Sequence, residues 1–403
     1  MNVSDILKKT GDFFKAFAVK FKACAVKCAS VFKKKQKTEE DYYLASQWTL
    51  MGRKLVKHKL AKVSMWILGI LYFNALFANF LAPYGLNDFD SNYKNAAPTT
   101  IHWRDENGKF VGPYVYAMTF KNNIETFKRE WVEDTTEKYF VKFFAKGRDY
   151  KLFGFIPCTR HLFEVEGENG GTKAKILLFG GDNLGNDLFS RILIGSQVSL
   201  TIPFAGCLIS FILGIILGGI SGYFGGWIDN LIQRIIEVIS ALPSIPLWMA
   251  LSAAIPADIP VATMYLSITV VLSFIGWTGL ARIVRGKFMA IKNEDYIMAA
   301  QIAGVSTWKI LFKHMVPGFM SYLIVNLTLS IPGMIIGETS MSFLGLGMRA
   351  PATSWGVLLK ETQDITSIAN YPWKLIPLFF VVLTVLAFNF FGDGCRDAAD
   401  PYK

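Results

Sequence analysis

The sequence has little of what a metal centre, a disulfide framework or a nucleotide-hydrolysing site requires. Its 403 residues include 4 histidines and 5 cysteines, and neither the histidines nor the pair Cys24 and Cys28 has metal-ligand spacing. Cys158 is the only cysteine of segment 82–195, so no disulfide is expected there. A Gly-x4-Gly-Lys-Ser/Thr phosphate loop is also missing, which excludes ATP hydrolysis by that route. We therefore expect no catalytic site, cofactor or metal in this chain.

Charge is missing from six long stretches, 63–87, 192–228, 238–257, 259–281, 314–337 and 375–392. A helix needs about 20 apolar residues to cross roughly 30 Å of hydrocarbon, and lipid offers the backbone no alternative hydrogen-bond partner. The sequence therefore predicts an all-α polytopic membrane protein with six transmembrane helices. Their expected positions are 63–81, 196–222, 233–256, 261–283, 319–341 and 374–392. The first begins too far along the chain for a cleaved signal peptide and is expected to be retained.

The formal charge of +11 is unevenly distributed. Residues 1–62 hold 15 basic and 5 acidic side chains, residues 82–197 hold 15 of each, and residues 281–317 hold 6 basic and 2 acidic ones. Basic loops stay in the cytoplasm, so both termini and the loop 284–317 are predicted inside, and 82–195 outside. The basic excess then indicates orientation and attraction to membrane lipid, and no nucleic-acid partner is expected.

The two ends of the first predicted span lead into very different segments. The cytoplasmic region 1–62 begins with an amphipathic basic helix over 1–35, which would lie on the inner membrane surface or pack on another subunit. The extracytoplasmic segment 82–195 combines balanced charge with many aromatic residues, a composition that can fold. We predict a small, mainly β-structured domain there, with a hairpin turn through Asn107-Gly108.

The stretch 293–317, NEDYIMAAQIAGVSTWKILFKHMVP, predicts two short helices that meet at a glycine. The first is expected over 296–303 and ends at Gly304, which can adopt a positive φ. Ser306 can cap the second, which is expected to end at Pro317. Small residues on the first helix would let another protein approach closely: Ala299, Ala300 and Ala303.

This stretch resembles the cytoplasmic coupling loop of ABC importer permeases, whose signature is Glu-Ala-Ala-x3-Gly-x9-Ile-x-Leu-Pro. The matching positions are Ala299, Ala300, Gly304 and Pro317. His314 stands where isoleucine is usual, as is frequent in the peptide-importer branch, and Met298 replaces the usual glutamate. The resemblance also assigns Glu294 and Asp295 to the segment that contacts the ATPase.

Four further stretches resemble the second, C-type permease of the peptide, dipeptide and nickel importer branch: 180–200, 222–243, 338–356 and 392–401. Within the first, the matching residues are Gly181, Asp182, Gly185, Asp187, Ser190, Arg191, Gly195, Ser199 and Leu200. The resemblance implies a type I permease core over 196–403 in a bacterial inner membrane, with 82–195 as an insertion between helices 1 and 2.

The resemblance also implies the partners and the transport cycle. A second homologous permease would complete the pore, two ABC ATPase subunits would bind ATP and Mg, and an extracytoplasmic binding protein would deliver substrate. Candidate pore or gating residues are Asn326, Pro332 and Glu338, although for Glu338 bracing of the turn 342–347 is favoured over contact with substrate. The substrate could be a peptide, a nickel chelate or a peptide-like antibiotic.

Two other classes of function remain as alternatives. A secondary transporter or channel without ATPases would show paired broken helices and ionisable residues near mid-membrane. A membrane-anchored enzyme or adhesion module would use 82–180, where no catalytic pattern is present.

Overall fold

The computed structural model describes residues 47–105, 108–122, 129–167, 174–256, 258–349 and 352–400. The amphipathic helix predicted over 1–35 lies outside these residues. Residues 47–53, described by themselves, are helical, and the chain from Lys54 onward forms one unit.

Helices account for most of the described residues. They are α1 (Gln47–Lys57), α2 (Lys59–Leu76), α3 (Ala78–Leu81), α4 (Leu188–Phe224), α5 (Gly226–Ala241), α6 (Ser244–Ala253), α7 (Val261–Ile291), α8 (Asp295–Ile302), α9 (Thr307–Lys309), α10 (Met320–Phe343), α11 (Trp355–Lys360), α12 (Ile365–Asn370) and α13 (Ile376–Ala399). Within this part of the chain, 5 helices are long and apolar enough to cross a membrane, and the bent pair α5 and α6 brings the number to 6 if it counts as one span. This agrees with the six predicted crossings.

Several predicted helix bounds were wrong. The second span begins at Leu188, not near 196, because the Asp187 carboxylate caps it by accepting from the backbone N–H groups of Phe189 (3.3 Å) and Ser190 (2.8 Å). The first span covers Lys59–Leu76 and is interrupted at Phe77 before a short turn of helix. The fourth and sixth continue past 283 and 392, to Ile291 and Ala399.

The third predicted span, 233–256, is not one straight helix. It bends by 90° between Ala241 and Ser244. Leu242 has φ −92° and ψ 136°, the extended conformation that a residue preceding proline favours. Pro243 therefore divides this segment into two helices.

Close backbone approach holds the centre of the bundle together. Small residues recur at every fourth position of α4: Gly206, Ser210, Gly214, Gly218 and Gly222. A Cβ atom on Gly214 would lie 2.9 Å from Leu280 Cβ, and one on Gly222 would lie 2.6 Å from the carbonyl oxygen of Arg285. Since lipid supplies no hydrophobic drive for helix association, such small residues stabilise the pair α4 and α7 through close van der Waals packing.

The strands lie between α3 and α4, where the sequence predicted a β-structured insertion. They are β1 (His102–Arg104), β2 (Phe110–Asn122), β3 (Arg129–Phe143), β4 (Lys146–Leu152), β5 (Ile156–Arg160) and β6 (Phe163–Gly167). An antiparallel sheet of order β1-β2-β3-β6 stands beside a separate hairpin of β4 and β5. The predicted turn between β1 and β2 has Gly108 at φ 73°, while residues 106–107 lie outside the described part.

The sheet has its own core and is attached to the end of the first span. Its buried side chains include Val115, Tyr139, Phe163, Val165 and Ile176. The Leu162 N–H donates to the carbonyl oxygen of Phe80 (3.0 Å), and the Ile176 N–H donates to the hydroxyl of Tyr84 (3.0 Å). These bonds fix the insertion to the segment that follows α2.

Candidate functional site

The segment between α7 and α10 folds into a helix, a tight turn and a second helix. Asp295 begins α8 after Glu294, whose side chain makes no capping hydrogen bond. The helix closes through hydrogen bonds from the Gly304 N–H to the Gln301 carbonyl (3.0 Å) and from the Val305 N–H to the Ala300 carbonyl (3.1 Å). Gly304 has φ 72°, a value that glycine adopts without steric cost. The glycine turn inferred from the sequence is present.

The second helix differs from its prediction in two ways. Ser306 occupies the N-cap position, but its side chain makes no capping hydrogen bond. The helix also does not end at Pro317. It passes through a π-helical stretch, Ile310–Met315, and a 3-10 turn, Val316–Phe319, directly into α10. Proline is tolerated because it lies near the start of the 3-10 turn, where its missing N–H is not needed.

One side of α8 is fixed to the bundle. Ile297 has an exposed fraction of 0% and belongs to a buried cluster with Phe288 of α7, and with Ile310 and Met315 of the π-helical stretch. Phe288 and Phe319 pack edge to face with ring centroids 5.8 Å apart. A displacement of α8 would therefore also displace α7 and the helix leading into α10.

The other side of α8 and the following turn presents apolar side chains outward. Ile302 is 89% exposed, and the large side chains of Tyr296, Met298 and Trp308 are exposed as well. An exposed apolar surface of this kind marks a contact with another molecule. We name this surface, made by Tyr296, Met298, Ile302 and Trp308, the outer face of α8.

The residues predicted to couple to an ATPase are divided between these two sides. Exposed ones are Glu294, Asp295, Met298, Ala299, Gly304 and Pro317, whereas Ala300 and His314 are half-buried. Ala300 packs against the cluster around Ile297. Most of the residues predicted for this segment are thus accessible.

Two residues that the sequence did not identify connect this segment to the end of α4. The Lys292 Nζ donates to the carbonyl oxygen of Tyr223 (2.7 Å) and lies 5.4 Å from the centre of its ring. The Gln301 amide donates to the Tyr223 hydroxyl (3.4 Å). The only sequence signal for the Lys292–Tyr223 contact was a lysine directly after a long helix. Such a lysine does not specify a partner 69 residues away.

The three candidate pore residues lie along α10 in different surroundings. Asn326 contributes to a small cleft between α4, α7 and α10, which is lined by Cys207, Ser210, Phe211, Gly276, Leu280, Asn326, Leu327, Ser330 and Met334. Pro332 is buried inside the helix. Glu338 is fully buried, and its carboxylate accepts from the hydroxyls of Ser342 (2.7 Å) and Ser199 (3.4 Å). The Ser199 hydroxyl in turn accepts from the Trp355 N–H (3.0 Å). This is the geometry of a residue that braces α4, α10 and α11 against each other.

A charged cluster lies at the opposite end of α4 from Tyr223. Arg191 is paired with Asp182, and Lys374 contacts Asn183 and lies 3.4 Å from Glu361. Burial raises the pKa of the Glu361 carboxyl, and burial likewise raises the pKa of Asp187 to about 6 despite its capping bonds. Several residues of the 180–200 motif are thus the ones that join the start of α4 to the loops before α13. Among the described residues, no group of three or more His, Cys, Asp or Glu side chains is placed to hold a metal ion.

A bundle of five to six helices long and apolar enough to cross a membrane defines a multi-pass membrane protein. The family model described as binding-protein-dependent transport system inner membrane component matches residues 210–402, and that of the N-terminal TM domain of oligopeptide transport permease C matches residues 46–98. The chain is 38% identical over 224 residues to the oligopeptide transport system permease protein OppC of Bacillus subtilis, covering 55% of this chain and 71% of the relative.

Two further relatives extend the match. Identity is 41% over 268 residues to OppC of Haemophilus influenzae (66% of this chain, 79% of the relative). It is 30% over 350 residues to the dipeptide transport system permease protein DppC of Lactococcus lactis (87% and 89%). A solved structure of the MetNI methionine ABC transporter in inward-facing conformations has a TM-score of 0.41 and 17% identity over 52% of this chain and 96% of that one; no conclusion follows from so low a similarity. The chain belongs to the family of binding-protein-dependent transport system inner membrane components, in its C-type permease branch.

Proposed function

We propose that this chain is the C-type pore subunit of an ATP-driven importer of oligopeptides or dipeptides. A second, homologous permease would complete the pore, and an extracytoplasmic binding protein would deliver the peptide. Two ABC ATPase subunits would hold ATP and Mg and act on the segment 293–317. In this arrangement both termini face the cytoplasm, and residues 82–195 lie outside the cell. The relatives' peptide transport functions and the positive charge of 1–62 support this assignment.

The observation that carries the proposal is the outer face of α8. Ile302 is 89% exposed at the end of a short helix whose only fully buried side chain is Ile297. Fully exposing such a side chain costs about 1.5 to 3 kcal/mol relative to burying it. The exposed face is therefore best explained by a protein that covers it, since short helices with an apolar face commonly bind in a groove of a partner protein.

The contacts of α8 indicate how motion would be transmitted. An ATPase that moves α8 would displace Ile297, and with it Phe288 and the π-helical stretch Ile310–Met315. Because α7 and α10 are continuous with these residues, both spans would tilt together. The cleft around Asn326 lies between these two spans and α4, so such a tilt would change access to it. We propose that this tilt alternates access to the cleft.

The proposal is tested by co-purification of the assembled transporter from cells that express all subunits. Ile302→Glu places a charge on the outer face of α8 and is expected to abolish recovery of the ATPases while the chain remains folded. The matched control is Ile365→Glu, since Ile365 is 81% exposed on α12, outside the 293–317 segment. ATPases that co-purify equally well with both variants would contradict the proposal.

A further inference from the structure

The hairpin of β4 and β5 has an apolar turn with exposed side chains. Its turn has the sequence Leu152-Phe153-Gly154-Phe155-Ile156. Phe155 is 73% exposed, and Phe153 and Ile156 are exposed too. A hairpin turn that is exposed to water normally carries polar residues, so an apolar turn at this place is unusual.

The backbone conformation of the turn makes a phenylalanine at position 153 unusual. Phe153 has φ 55° and Gly154 has φ 82°, and the Phe155 N–H donates to the Leu152 carbonyl (3.3 Å). Glycine, asparagine and aspartate tolerate positive φ, whereas a bulky residue there is strained. A phenylalanine at position 153 therefore weakens the turn locally. Such departures from local preference occur where the side chain serves a contact outside the element.

The tip is continuous with the lipid-facing surface of the first membrane span. Phe73 is exposed on the last turns of α2, and its ring centre lies 4.6 Å from that of Phe77, the residue at which α2 ends. Phe77 packs on Phe153 with ring centres 5.5 Å apart, and Phe153 lies 6.4 Å from Phe155. A row of four rings thus runs from the membrane span to the tip. The tip consequently lies at the depth where α2 leaves the membrane.

The exposed charged side chains of the hairpin are mostly basic. Lys146, Lys151 and Arg160 are exposed, and the exposed acidic residue is Asp149. Aromatic rings beside Lys and Arg are the composition of segments that lie at a membrane surface, where the rings enter the headgroup region and the cations approach anionic lipid.

We propose that the tip of this hairpin, residues 152–156, inserts into the interface of the membrane leaflet that adjoins the end of α2, with a preference for anionic phospholipid. The insertion is then held at two points, by the hydrogen bonds that follow α2 and by the hairpin in lipid. Its sheet stands at a fixed height above the membrane, independent of any protein partner.

The test is photo-crosslinking of the full-length chain in membranes that contain all transporter subunits and radiolabelled phospholipid. Phe155→p-benzoylphenylalanine is expected to form a lipid adduct on irradiation. The matched control is Phe110→p-benzoylphenylalanine, because Phe110 is 68% exposed but stacks on Trp103 in the other sheet. The control is expected to give severalfold less lipid adduct. In nanodiscs of phosphatidylcholine, adding phosphatidylglycerol should raise the yield at position 155.

A second variant separates lipid contact from folding. Phe153→Asn suits the positive φ of the turn, so the melting temperature should be unchanged or higher, while removal of the ring should lower the lipid adduct at position 155 severalfold. A crosslink from position 155 to the binding protein or the partner permease would overturn the proposal. Equal lipid labelling at positions 155 and 110, or no lipid adduct at 155 in a folded chain, would also overturn it. A yield at 155 that does not change with phosphatidylglycerol would refute the anionic preference.

Discussion

Ile297→Ala is expected to uncouple ATP hydrolysis from transport without removing the ATPases. Ile297 is the fully buried side chain of α8 and contacts the cluster around Phe288. Truncating a buried isoleucine to alanine typically costs about 2 to 5 kcal/mol. Because α8 is short and can shift to relieve the cavity, we take about 2 to 3 kcal/mol. This changes the equilibrium constant between α8 packed on the cluster and α8 displaced from it by roughly 30- to 150-fold.

The assay compares peptide uptake with ATP hydrolysis in proteoliposomes that contain the assembled transporter. Uptake per ATP is predicted to fall at least about tenfold, while ATPase recovery on purification is retained because the outer face of α8 is unchanged. Ile365→Ala is the matched control, since Ile365 is 81% exposed on α12, outside the 293–317 segment, and a surface truncation costs about 0.5 kcal/mol or less. Normal uptake per ATP in Ile297→Ala would refute the idea that α8 transmits motion through this contact.

Two further predictions concern the bundle. In Gly222→Ala, the new Cβ would lie 2.6 Å from the Arg285 carbonyl oxygen, so α4 and α7 must separate. The free energy of unfolding should fall by about 1 to 3 kcal/mol, which lowers the melting temperature. Gly279→Ala, with nothing near its new Cβ, should not lower the melting temperature. Equal melting temperatures of the two variants would contradict the packing argument. The raised pKa of Asp187, about 6, means that the folded chain holds this proton to higher pH than the unfolded chain. Stability from this group therefore increases as the pH falls through about 6. Asp187→Asn can still cap the helix but lacks the titrating carboxyl group. As the pH is lowered from about 7 to about 4, its free energy of unfolding should fall by up to about 3 kcal/mol relative to that of the natural chain. Thermal melts of the two proteins that stay parallel across this range would refute it.

The membrane spans were predictable because hydrocarbon imposes the same requirement on every residue of a span. A charge-free stretch of sufficient length has no structure available other than a helix, so the number of crossings followed from the sequence. The bounds did not follow. Leu188 begins α4 because the Asp187 side chain is free to cap it, and α7 continues to Ile291 because its last turns pack on α8. The bend at Pro243 has a local signal, yet its 90° angle depends on the neighbouring helices.

The helix-turn-helix of segment 293–317 was recognisable from Ala299, Ala300 and Gly304, since a positive φ at a helix end has a residue signature. The connection of Lys292 to Tyr223 had none. The same holds for Glu338, whose position in the chain favoured bracing over substrate contact but did not identify the partners. Its hydrogen bonds to Ser342 and Ser199 come from residues four and 139 positions away, and only the folded bundle brings Ser199 to it.

The sequence by itself determined that the chain crosses a membrane several times, that a β-structured segment follows the first crossing, and that a glycine-hinged helix lies between two later crossings. Each of these depends on short-range chemistry: apolar length, strand composition and backbone freedom at one residue. Only the tertiary structure decided that Ile297 faces inward while Ile302 faces outward, and that the rings of Phe153 and Phe155 continue the row begun by Phe73 in α2. Such contacts join residues far apart in the chain, and their partners are selected by packing of the whole fold, which no local pattern encodes.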